Sequence, residues 1–100
     1  MGLKSDIEVL SELLVKFPKK WVVILLNDDY TSMEFVVEVL MQIFHKSHDE
    51  AKKIMLDIHN NGKGVCGVYT HEIAQTKLHQ VHSAAKNNSF PLKAIMEQEA

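Results

Sequence analysis

Six apolar residues in a row, Trp21 to Leu26, run directly into Asn27-Asp28-Asp29, and a second apolar-rich stretch follows as far as Phe44. The first run is β-branched and aromatic and too short for a helix of its own, so it reads as a strand. Asn and Asp favour turns and end it. Thr31-x-x-Glu34 has the form of a capping box and predicts the start of a helix. In that helix Val36, Val39, Leu40 and Ile43 form an apolar face, and Glu34, Glu38, Gln42 and His45 follow on the polar face.

The remainder punctuates itself in the same way. Ser47-x-x-Glu50 opens a second helix with Ala51, Ile54, Met55 and Ile58 inward and Lys52, Lys53 and Asp57 outward. Asn60-Asn61-Gly62 closes it, because Gly and Asn accept the left-handed cap conformation. Val65 to Tyr69 reads as a strand in which Gly64 and Gly67 suggest a bulge or a close backbone approach. Thr70 caps a third helix through about Lys86, on Ala74, Leu78, Val81 and Ala85. Phe90 to Glu97 is a last strand, and Pro91 restricts it to an edge or a strand start. The order strand, helix, helix, strand, helix, strand predicts an α+β fold: a two-layer sandwich with a small three-stranded sheet and three helices on one face.

Residues 1–19 read as an N-terminal extension and residues 20–100 as the core domain. Ser5-x-x-Glu8 is another capping box, and Ile7, Leu10, Leu14 and Phe17 recur at helical spacing until Pro18 stops them. A helix this short is marginal in water on its own. It is therefore expected either to pack on the body or to stay loosely ordered until a partner takes it.

The chain of 100 residues has room for one domain. All eleven basic residues are lysines and the formal net charge is −2. Without arginine, phosphate forks and base-edge readout lose their usual donor, which argues against nucleic acid as a partner. The single cysteine, Cys66, forms no internal disulfide and fits a reducing compartment. It sits mid-strand and is expected to be a buried, inert thiol. The start MGLKSD lacks a hydrophobic signal core, and no apolar run approaches the length of a membrane span. A reducing compartment and no membrane contact are the expectation.

No nucleophile elbow, Ser/His/Asp order or glycine-rich phosphate loop is present, so nothing specific points to catalysis. Asp28, Asp29 and His59 could bind a metal, although no His-x-x-x-His or Cys-x-x-Cys spacing accompanies them. Histidines 45, 48, 71, 79 and 82 fall on polar faces or helix ends and are expected to be solvated. His59 lies at the edge of an apolar face near a helix C-terminus. The Asn27–Asp29 turn, with Met33 and Val36 one helical turn away, suits a cation that carries a hydrophobic tail. The residues alone leave three readings open: such a binding site, a small metal-dependent hydrolase using Asp28, Asp29 and His59, and a structural interaction domain whose polar turn merely connects elements.

Asn27-Asp28-Asp29-Tyr30-Thr31-Ser32-Met33-Glu34-Phe35-Val36 closely resembles the N-D-D-Y-T-P-M-E-F-V signature of the ClpS family. So do Met55 to His59, Gly62 to Thr70, and the pair Glu72 and Lys77. The resemblance covers about residues 21 to 97, with Ser32 in place of the family's usual proline. It implies a non-enzymatic adaptor without cofactor or metal. Such an adaptor binds N-degron substrates, proteins with a free N-terminal Leu, Phe, Tyr or Trp, and delivers them to the N-terminal domain of a ClpA-type AAA+ unfoldase. It implies further that Asn27, Asp28, Asp29 and His59 surround the substrate's α-amino group. Met33, Val36, Met55, Ile58 and Leu92 match the side-chain pocket, and Glu72 and Lys77 the unfoldase-facing surface. The extension shows no clear sequence match, and the resemblance implies that it is the family's variable segment needed for delivery.

Overall fold

A computed structural model describes residues 5–9 and 19–99. Three strands, β1 (Trp21–Leu26), β2 (Lys63–Tyr69) and β3 (Lys93–Gln98), form one sheet in the order β2-β1-β3, antiparallel throughout. Three helices, α1 (Met33–Gln42), α2 (His48–Asn61) and α3 (His71–Asn87), complete the order expected from the sequence. The fold is α+β: a sheet packed beneath helices on one face.

The apolar run of β1 is explained by its place between two partners. Val23 and Leu25 face the helices and are fully buried, while Val22 and Ile24 turn to the outer face. The core joins them to Phe35, Val39 and Leu40 of α1, Ala51 of α2, and Ala74, Val81 and Ala85 of α3. Of the glycines of β2, Gly67 marks a bulge and Gly64 a close approach to α2. Val23 pairs with Gly67 and Ile24 with Val65, which leaves Cys66 without a partner. Two successive residues, Cys66 and Gly67, thus face inward. Cys66 is 1% exposed, and burial pushes its thiol up to about 12, so it is the inert core thiol expected.

Helix starts agree with the sequence at Ser47, whose Oγ accepts from the Glu50 amide at 3.2 Å. They differ at one place. The N-cap of α1 is Ser32, which accepts from the Phe35 amide at 3.1 Å, and not Thr31. The Thr31 hydroxyl instead donates to Asp28 Oδ2 at 2.7 Å. A charged acceptor makes a stronger bond than a peptide N–H offers, so the helix begins one residue later. Thr70 holds the N-cap position of α3 as expected, although its side chain makes no cap bond. At the other end of α2, Gly62 takes the left-handed conformation (φ 88°) and donates to the Ile58 carbonyl at 2.9 Å.

The last strand starts at Lys93, three positions beyond Phe90. Phe90 packs its ring on Phe35 at 4.9 Å between centroids, and Pro91 lies outside the ladder. At the N-terminus the Glu8 amide donates to Ser5 Oγ at 3.1 Å and residues 6–9 are helical, with Ile7 exposed. Leu10, Leu14, Phe17 and Pro18 lie outside the described residues.

Candidate functional site

The turn after β1 is built by Asp28. Its Oδ1 accepts from the amides of Tyr30 at 2.8 Å and Thr31 at 2.7 Å, and its Oδ2 takes the Thr31 hydroxyl. This side chain holds the backbone of the turn as an Asx turn does. Partial burial pushes the carboxyl up, and the three bonds from Thr31 and Tyr30 outweigh it, so its pKa lies below the ordinary 3.8. Asp28 is therefore ionised at neutral pH, with most of its acceptor capacity already used.

One backbone bond brings this turn to α2. The Asn27 amide donates to the Gly62 carbonyl at 2.9 Å, just past the helix end. His59, in the last turn of α2, and Asn27 consequently border the same cleft. Both side chains are exposed at its mouth. The carbonyl end of a helix is electronegative, which adds to the field of Asp28 and Asp29 there.

Below the polar mouth lies an apolar interior. Met33 and Val36 on α1 face Met55 and Ile58 on α2, and Thr31 completes the lining of a cleft of about 310 Å³. Val36, Met55 and Ile58 are buried, but Met33 is 43% exposed, so it forms a solvent-facing wall of the cleft. The lining contains two carboxylates, an amide, an imidazole, a hydroxyl and no lysine. Chemically, the cleft can hold a small cation by acceptors at its mouth and an apolar group beneath it.

Not every anticipated residue lies there. Leu92 is 4% exposed, belongs to the core cluster and is not among the residues lining the cleft. Glu72 and Lys77 lie elsewhere, on α3. Glu72 is exposed in its first turn, whereas the Lys77 ammonium donates to the Ile43 carbonyl at 2.6 Å and stands 5.8 Å from the Tyr69 ring centre. Lys77 thus closes the end of α1.

Two further polar roles were not anticipated from the residues. Thr31 braces Asp28, for which the spacing Asp-x-x-Thr was the available signal. His82, expected to be solvated, accepts at Nε2 from the Ala94 amide at 3.0 Å and so covers the free edge of β3. Among the described residues no group of three or more His, Cys, Asp or Glu side chains is placed to hold a metal ion, and no helix is long and apolar enough to cross a membrane.

The family described as ATP-dependent Clp protease adaptor protein ClpS matches residues 16–95. The ClpS adapter protein of Wolinella succinogenes is 50% identical over 97 residues, covering 97% of this chain and 95% of its own length. That of Maricaulis maris is 57% identical over 84 residues, covering 84% of this chain and 77% of its own. Among solved structures, Agrobacterium tumefaciens ClpS2 bound to L-phenylalaninamide superimposes with a TM-score of 0.79 at 40% identity, over 82% of this chain and 99% of that one. These proteins are named as adaptors and not as enzymes. The chain with the Asn27–His59 cleft belongs to the ClpS family of adaptor proteins of the ATP-dependent Clp protease.

Proposed function

We propose that the cleft binds the first residue of substrate proteins with a free N-terminal Leu, Phe, Tyr or Trp. The observation that carries this reading is the pairing, in one cleft, of an acceptor-lined mouth with an apolar interior. An α-ammonium brings three donors and a positive charge. Asn27 Oδ1 and a neutral His59 accept from it, and the Asp28 and Asp29 carboxylates supply negative potential. The side chain then enters between Met33, Val36, Met55 and Ile58, with Leu92 behind them in the core.

Magnitudes explain why both halves are needed. Charge-assisted bonds contribute about 1.5–3 kcal/mol each. Burying a Leu or Phe side chain contributes roughly another 1.5–3 kcal/mol. Immobilising a peptide costs about 4 kcal/mol or more, so neither half suffices alone. The ligand of Agrobacterium ClpS2 combines the same parts: a free amine, an aromatic side chain, and a carboxamide in place of the next peptide bond.

The bound substrate is handed to the N-terminal domain of a ClpA-type unfoldase. Glu72 and Lys77 face that domain, and the extension, residues 1–19, takes part in delivery. The adaptor acts as a monomer in the bacterial cytoplasm. The test of the site is titration of a fluorescent Leu-initiated peptide against Asn27→Ala and His59→Ala. Each variant weakens binding at least tenfold without loss of thermal stability. Unchanged affinity in both would remove these residues from the site.

A further inference from the structure

The cleft does not end at Met33 and Met55. The far sides of the same two side chains line a second, more apolar hollow of about 420 Å³, completed by Glu34 and Val37 of α1 and His48 and Lys52 of α2. The two hollows are neighbours between α1 and α2 and share the Met33 and Met55 side chains. Met33 is 43% exposed and Val37 half-buried. Nothing in the proposed grip on the first residue uses the second hollow.

Spacing selects an occupant. An α-helix rises about 1.5 Å per residue, so Lys52 lies roughly 7 Å along α2 from the midpoint of Met55 and Ile58. In an extended peptide, side chains on one face recur about every 7 Å, which is the separation of residues one and three. An amine held near His59, at the C-terminal end of α2, leaves the peptide to run towards the helix N-terminus. We propose that the hollow between Val37 and Lys52 is a subsite for the third residue of the substrate and favours an apolar side chain there. This rests on the reading of the first cleft as the N-terminal residue's site. Met33 and Met55 have unbranched, flexible side chains and can pack against the first side chain on one face and the third on the other. Glu34 and Lys52 stand at the rim with opposite charges, so a third residue of either sign gains less than an apolar one.

The test uses the full-length protein and fluorescent peptides beginning Leu-Ala-Ala, Leu-Ala-Leu and Leu-Ala-Asp, otherwise identical. Leu-Ala-Leu is expected to bind about fivefold tighter than Leu-Ala-Ala, a gain suited to a partly buried side chain. Leu-Ala-Asp shows no gain. Val37→Asp reduces the preference to twofold or less while Leu-Ala-Ala binds as before. If that variant does not fold, the exposed Lys52→Ala, which shortens the same wall, is read instead. Equal affinity of Leu-Ala-Ala and Leu-Ala-Leu for the wild type, or a preference that persists in the variants, overturns the subsite and leaves the first cleft standing. If acetylated Leu-Ala-Leu binds as well as the free form, the amine site fails, and the subsite with it.

Discussion

Asp28 spends its carboxylate on the turn. With its carboxylate holding Tyr30 and Thr31, it is chiefly a scaffold for the turn that follows Asn27. Asp28→Ala removes three bonds and is expected to cost about 1–2 kcal/mol, the scale of a lost helix cap. Asp28→Asn keeps an Oδ1 for the two amides and costs less. The pH dependence follows from the lowered pKa. A carboxyl with its folded pKa below its unfolded one stabilises the fold above the unfolded value, near 3.8, and that contribution is lost as pH falls through the folded value. Urea unfolding should therefore show a constant gap between wild type and Asp28→Ala from pH 5 to 8, closing below pH 4. Ser32 belongs to the same scale. Where the ClpS signature has proline, its φ of −70° lies in the proline range, and its hydroxyl supplies the N-cap acceptor that proline lacks.

At the scale of elements, α2 and β2 set the depth of the cleft. A Cβ on Gly64 would stand 2.7 Å from Ile58 Cγ1 and 3.2 Å from the Ile54 carbonyl oxygen. Gly64→Ala must push α2 off the strand, and overpacking of this kind costs about 1–3 kcal/mol. Because Ile58 lines the cleft, the same substitution should weaken a Leu-initiated peptide, which a thermal melt and a titration on one preparation would establish together. Lys77 joins α3 to the end of α1. Its replacement by Met should lower stability by about 1 kcal/mol, the typical worth of one hydrogen bond. The exposed Glu72→Ala should stay within about 0.5 kcal/mol. If both variants lose affinity for a ClpA-type N-terminal domain while only Lys77→Met melts lower, the surface role is separate from the structural one.

At the scale of the whole molecule, what the residues disclosed followed physical locality. Element order, the Ser47 cap, the Gly62 stop and the inward faces of the helices were legible because periodicity and capping act within a few residues. The Thr31 cap was misplaced because its rival acceptor, Asp28, is fixed by a side-chain geometry that spacing only hints at. The role of His82 depends on β3 lying beside α3, and the grip of Lys77 on Ile43 on α3 approaching the end of α1. Both are tertiary facts. The cleft itself was half legible. The polar turn and the apolar helix faces could be read, but the bond from Asn27 to Gly62 that brings His59 alongside spans 35 positions.

The central claim is that a free amine and the apolar group beside it are recognised jointly. A fluorescent Leu-initiated peptide titrated beside its N-acetylated twin tests it most directly. Loss of charge and of about two charge-assisted bonds, together worth roughly 3 kcal/mol or more, predicts at least a hundredfold weaker binding of the acetylated peptide. Equal affinity of the two peptides would contradict the account.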